Sequence, residues 1–152
     1  MDGEAIEIGR LAAADRADWE VLWHENLRHF RAPDVAFADL PVIWQRLLDP
    51  AEPLLGWLVR VEGRPAGLAH VVLRQHTFSA RPVAILEDLW IAPFARRRGL
   101  GERLIAHLAE GGRAAGWRRI EWETEAHNHA AQRLYDRIAA PDAARRYRLA
   151  LG

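Results

Sequence analysis

The stretch Arg96-Arg97-Arg98-Gly99-Leu100-Gly101 lies between an apolar run, Ala84-Ile85-Leu86-Glu87-Asp88-Leu89-Trp90-Ile91, and a helical run beginning at Glu102. A strand that feeds a helix, followed by another strand, is a parallel crossover. Glycine in the connecting turn lets the backbone adopt angles that other residues resist and approach a ligand closely. The first amides of the helix have no internal partner and point outward, and with the helix dipole they favour a phosphate or pyrophosphate. The order strand, turn, helix therefore predicts an element of fold and an anion cradle together, with the arginines adding charge at the rim.

The rest of the chain narrows what such a cradle can serve. A length of 152 residues, half of them apolar, suits one domain with one real core. The formal net charge is zero, against the basic excess of a general nucleic-acid binder. Every strongly basic residue is arginine, which removes lysine Schiff-base chemistry. Cysteine is absent, so disulfides, thiolate ligands and a cysteine nucleophile are excluded. The start, Met1-Asp2-Gly3-Glu4, is acidic and lacks an apolar signal core, and no apolar run reaches the length of a membrane span. A cytoplasmic protein with no membrane partner is the expectation.

Periodicity predicts a first strand over Ile6–Leu11. Asp15 is placed to cap a helix carrying Trp19, Leu22, Trp23, Leu27 and Phe30, broken at Pro33-Asp34. A second helix carries Phe37, Leu40, Ile43, Trp44, Leu47 and Leu48, with Pro41 interrupting its start. Strands follow over Leu54–Val61 and Ala66–Arg74, joined by a turn at Glu62-Gly63-Arg64, then over Val83–Ile91. A helix from Glu102 to about Ala115 stops at Gly116, and Trp117–Thr124 is the next strand. Asn128 or its neighbour opens a short helix to Ile138, and Tyr147–Leu151 closes the sheet. The order β-α-α-β-β-β-α-β-α-β predicts an α/β fold: one central twisted mixed sheet with helices on both faces.

These residues resemble the GNAT superfamily of N-acetyltransferases. Arg96, Gly99 and Gly101 match the family's acetyl-CoA loop, which runs Arg or Gln, two residues, Gly, one residue, Gly or Ala. Asp88-Leu89-Trp90-Ile91-Ala92-Pro93 is similar to its acetyl-CoA-contacting strand, and Asn128, Ala131, Leu134 and Tyr135 match its Asn-x-x-Ala-x-x-Leu-Tyr signature. Leu86-Glu87-Asp88-Leu89 with Trp122-Glu123-Thr124 and Asn128–Asp136 is similar to polyamine and histone-and-polyamine acetyltransferases in particular. The chain departs from the family where Gly-Phe often follows the tyrosine helix; here Ile138-Ala139-Ala140-Pro141 stands. The resemblance implies one N-acetyltransferase domain, acetyl-CoA as co-substrate, no metal and a homodimer or larger homo-oligomer.

Transfer from a thioester to an amine needs a held donor, a stabilised oxyanion, a deprotonated amine and a proton for the leaving thiolate. The backbone amides from Arg97 through Glu102 are expected to hold pyrophosphate, with Arg96, Arg98, Leu100 and Asn128 completing the cofactor site. The resemblance implies that pantetheine pairs with the backbone of Leu89 and Ile91 as an added strand would, and that the thioester oxygen meets the amide of Leu89 or Trp90. An alkylamine with a pKa of about 10 arrives protonated. Glu87 and Asp88, at successive strand positions, are expected to face opposite sides, one lining the acceptor pocket and the other bracing the sheet. Glu87 is the favoured proton acceptor, against the alternative of a solvated carboxylate, and Glu87, Asp88 and Trp122 are the acceptor-binding set. Tyr135 is the general acid, its phenol (pKa about 10) matched to a thiol of about 8.5, against the alternative of a core tyrosine. With no cysteine, and Ser79 the only serine, direct attack is expected rather than an acyl-enzyme.

His127 and His129 flank Asn128 without the further ligands a metal needs, and His70 and His76, in or after a strand, are candidates to line the acceptor cleft, with a core or surface role favoured. A non-catalytic acyl-CoA-binding regulatory domain is the competing function; it would keep Gly99 and Gly101 but has no need of Glu87 or Tyr135.

Overall fold

The computed structural model describes residues 4–152. Five strands form one sheet in sequence order: β1 (Ile6–Arg10), β2 (Leu54–Val61), β3 (Arg64–Arg74), β4 (Val83–Ile91) and β5 (Arg119–Glu121). The first four pair antiparallel, and β4 pairs with β5 in parallel through the crossover helix α4 (Leu100–Ala115). The β2–β3 hairpin turns on Glu62 and Gly63, both at positive φ, the geometry whose twist matches that of the flanking strands.

Helices α1 (Arg16–His29), α2 (Asp34–Ala38) and α3 (Leu40–Leu48) precede the hairpin, and α5 (His129–Ile138) follows β5. Side-chain alternation along the strands divides the core in two. Trp57, Val59, Ala69, Val71, Ala84 and Leu86 pack with Leu104, Ile105 and Leu108 of α4. Leu58, Leu68 and Trp90 point the other way, onto Trp19 and Leu22 of α1 and Trp44 and Leu47 of α3. The expected mixed sheet with helices on both faces is what the chain forms.

Four local expectations change. Asp15 does not cap α1 with its side chain; its carboxylate accepts from the Ala12 amide at 2.8 Å and from Arg60 at 2.7 Å, and a short 3-10 turn precedes the helix. The second helical run is two helices, because Pro41 lacks the amide a continuous helix needs and instead sits in the first turn of α3. β5 is shorter than Trp117–Thr124: the Trp117 ring is buried against Trp57, and beyond Glu121 the strand diverges from β4. Tyr147–Leu151 does not close the sheet. Tyr147, Leu149 and Leu151 are exposed, since the edge offered by so short a β5 gives too few hydrogen bonds to offset ordering the segment.

Candidate active site

β4 is interrupted by a bulge. Its register with β3 jumps from His70↔Asp88 to Val71↔Leu86, leaving Glu87 unpaired. Before the bulge Ala84 and Leu86 face the α4 core; after it Leu89 and Ile91 do. Glu87 and Asp88 therefore both point away from that core, toward the α1 and α3 side, rather than to opposite sides as simple alternation predicts. Glu87 is exposed and forms no ion pair among the described residues. Asp88 is held from behind: its Oδ2 lies 3.0 Å from Nδ1 of His70, whose Nε2 lies 2.9 Å from Nε1 of Trp19.

The same strand also has an open edge. β4 and β5 pair only over Val83–Ile85 and Arg119–Glu121, so among the described residues the second edge of β4 has no neighbouring strand from Leu86 onward. The Ala92 amide donates to Ala66 on β3 at 2.8 Å. By strand alternation the Trp90 amide also faces β3, and those of Leu89 and Ile91 face the open edge. Trp90 thus turns its amide to β3 and its ring to the opposite core, where Nε1 donates to Glu25 at 3.1 Å.

The open edge runs into the glycine turn. Arg97 and Gly99 both have positive φ (63° and 72°), curling successive amides to one side as in an anion nest. The first backbone bond of α4 is Arg103 N to Gly99 O at 3.0 Å, and the amides of Arg97 through Glu102 donate to no backbone carbonyl among the described residues. A cleft of about 400 Å³ joins these features. Its walls are Leu89 and Ile91, the turn residues Arg96, Arg97, Gly99, Leu100, Gly101 and Glu102, and Ala130, Ala131, Leu134, Tyr135 and Arg137 of α5.

The three arginines of the turn differ. Arg96 spends its Nε on the Ile91 carbonyl at 3.0 Å and lays its guanidinium over the Trp90 ring, so it braces the turn. Arg98 departs from its expected place at the rim: Glu4 and the Phe94 carbonyl hold its guanidinium, and it does not line the cleft. Arg97 lines the cleft with no ion-pair partner among the described residues; Arg137, which sequence reasoning missed, lines it from α5 while paired with Glu102 at 2.8 Å.

Tyr135 lines the cleft half-buried, and burial pushes its phenol above the ordinary tyrosine value. Trp122 meets it edge-on, 5.4 Å between ring centres. Asn128 caps α5, its Oδ1 accepting from the Ala131 amide at 3.2 Å, and lines a neighbouring depression with His29, Phe30 and Glu125 rather than the cleft itself. His127 and His129 border that depression too, and among the described residues no three His, Asp or Glu side chains converge as metal ligands. Ala130, like Ala131 and Leu134 of the signature, lies on the helical face that carries Tyr135. Away from the cleft, the contact of Trp19 with His70 had no local signal, since the two are 51 positions apart.

A family model described as Acetyltransferase (GNAT) family matches residues 16–139. A D-amino-acid N-acetyltransferase of Saccharomyces cerevisiae is 27% identical over 144 residues, covering 91% of this chain and 87% of that protein. Among solved structures, a ribosomal-protein-alanine N-acetyltransferase from Brucella melitensis superposes with a TM-score of 0.78 at 19% identity, covering 97% of this chain and 100% of the other. The aminoglycoside N-acetyltransferase AAC(6')-Iy in complex with CoA superposes with a TM-score of 0.76 at 22% identity, covering 97% and 95%. At such identities the superpositions establish the fold.

Proposed function

The chain belongs to the GNAT acetyltransferase family and is an acyltransferase, and from that premise we propose that it acetylates a primary amine by direct attack on acetyl-CoA. The observation that carries this reading is the continuity of the cleft. Unpaired helix-start amides, an unpaired strand edge and a half-buried tyrosine share one cavity of about 400 Å³.

The residues present suit that co-substrate. The amides from Arg97 through Glu102, with the charges of Arg97 and Arg137, would hold its diphosphate. Gly101 faces the cleft, where an added Cβ would meet only Leu134 and Leu89 at ordinary contact distance, so the backbone itself is open to a ligand there. The Ile91 amide would pair with the pantetheine arm, leaving the Leu89 amide for the thioester oxygen. Acetyl-CoA supplies an acyl group activated as a thioester.

Glu87 takes one proton from the acceptor ammonium, giving the free amine that attacks the carbonyl carbon. The Leu89 amide, directed at the open edge, donates to the oxygen on which charge develops. As the C–N bond forms and the C–S bond breaks, the nitrogen loses its second proton to solvent, while Tyr135 gives its proton to the leaving sulfur and regains one from solvent. Burial keeps that phenol protonated until needed.

The paired carboxylates favour an acceptor that arrives as a cation, as the sequence resemblance to polyamine acetyltransferases does. The substrate named for the yeast relative, a D-amino acid, also presents a primary ammonium. The test is thiol release from acetyl-CoA with a panel of polyamines, D- and L-amino acids and aminoglycosides, each product weighed by mass spectrometry. Turnover of at least one amine is expected. Tight acetyl-CoA binding with no thiol release for any acceptor would replace the enzyme by a sensor.

A further inference from the structure

His70 is 2% exposed and Trp19 fully buried, yet both carry polar nitrogens. An indole N–H can only donate, so the Trp19 Nε1 at 2.9 Å from His70 Nε2 requires that nitrogen to be bare. The ring proton of His70 then sits on Nδ1, from which it donates to Asp88 Oδ2 at 3.0 Å. Trp23 closes the other side of the imidazole edge-on, 4.7 Å between ring centres. The chain of bonds runs one way, from a donor-only indole to a carboxylate, and each ring has a single orientation that satisfies it. Asp88 is the only member that reaches solvent, its side chain 30% exposed, and its Oδ1 has no partner among the described residues.

We propose that His70 is a positioning residue for the acceptor amine: it clamps one oxygen of Asp88 so that the other is presented, beside Glu87, to the incoming ammonium. The two carboxylates then divide the work. Asp88 is rigid and orients the nitrogen; Glu87, on the bulge and without an ion pair, is free to take the proton. The bulge is what allows this division, because it puts adjacent residues on one face. The inference rests on the amine acetyltransferase reading.

Two substitutions separate positioning from packing. In His70→Asn the amide nitrogen falls near the position of Nδ1, keeping the Asp88 bond and losing the Trp19 bond. His70→Gln does the reverse, its oxygen reaching near Nε2. Each loses one buried hydrogen bond, so their thermal stabilities should fall alike. Gln is expected to raise the acceptor KM about tenfold, and Asn to change it less than about threefold, with the acetyl-CoA KM steady in both. Equal acceptor KM values in the two variants, or acetyl-CoA KM rising in step, would overturn the proposal.

A second measurement needs neither variant to fold. The imidazole nitrogen resonances of the wild-type protein should show His70 protonated at Nδ1 and bare at Nε2, and the Nδ1 signal should move when spermidine is added as the probe. A proton on Nε2, or an unmoved signal at saturating spermidine, overturns the clamp. Wild-type protein inactive with every amine would instead sink the enzyme reading, a result distinct from an active enzyme indifferent to the bond at Nδ1.

Discussion

Arg137 on α5 reaches Glu102 in the first turn of α4, nitrogen to oxygen 2.8 Å, so one ion pair ties together the two helices that wall the cleft. Both side chains are well exposed, 61% and 43%, and such a pair contributes little to stability. Arg137→Ala should change the unfolding free energy by less than about 0.5 kcal/mol. It should weaken acetyl-CoA about three- to tenfold, because a cation is lost beside a site for anionic phosphates. Urea denaturation and titration calorimetry read the two effects separately. Undiminished affinity would take Arg137 out of the binding site.

Two glycines, one capping α4 and one within it, are needed for different reasons. At Gly99 an added Cβ meets nothing within 4 Å, but φ is +72°, so Gly99→Ala should cost about 1 kcal/mol in backbone strain alone. At Gly112 the backbone is helical, but a Cβ would stand 2.4 Å from the Trp117 ring, which is buried and cannot swing away. Gly112→Ala should cost more, about 2 kcal/mol or above. Gly99→Glu should in addition abolish acetyl-CoA binding, by placing a carboxylate at the cradle. Thermal unfolding ranks the alanine variants, and the reverse order would contradict this account of the turn.

Tyr135→Phe removes only the hydroxyl. The turnover number should fall about a hundredfold, the scale of a lost general acid, while acetyl-CoA affinity stays within about twofold. Burial raises the phenol's pKa, so its proton is kept through neutral and mildly alkaline pH. The decline in rate from losing that proton therefore belongs above the ordinary tyrosine value of 10.0, falling as pH rises. Equal turnover numbers for the two proteins would leave Tyr135 a packing residue.

Asp15 and Arg60 tie the start of α1 to β2 at 2.7 Å. Burial alone would raise the Asp15 carboxyl, but the hydrogen bonds from Arg60 and the Ala12 amide, with the Arg60 charge, outweigh it and hold the group below its ordinary 3.8. A carboxyl lowered by folding stabilises the protein above the unfolded value and loses that contribution as pH falls through the folded one. Arg60→Met should therefore be less stable than wild type by about 1 kcal/mol at neutral pH, with the gap closing as the pH falls below the ordinary 3.8. Denaturation curves at the two pH values check the sign; a gap that widens in acid would reverse it.

Much of this was legible along the chain. The hairpin at Glu62-Gly63, the strands Leu54–Val61 and Val83–Ile91 and the cap at Asn128 follow from turn chemistry, alternation and side-chain reach within a few residues. The cradle was legible for the same reason: strand, glycine turn and helix start are consecutive. Where the reading failed, a distant neighbour decided. Asp15 had a helix to cap and found Arg60 instead, and Tyr147–Leu151 alternates like a strand but meets no ladder long enough to join.

The acceptor side shows the division best. Glu87 and Asp88 were expected to serve the acceptor from opposite faces by alternation, and only the register of β3 against β4 reveals the bulge that puts them on one face. Residue type and local spacing, by themselves, determined most of the elements and the strand–glycine turn–helix order, since those properties depend on neighbours along the backbone. Which amide faces the open edge, which arginine stays free and which histidine grips Asp88 were decided in three dimensions. Those choices turn on strand register and on bonds between residues 18 and 51 positions apart, and no local preference encodes either.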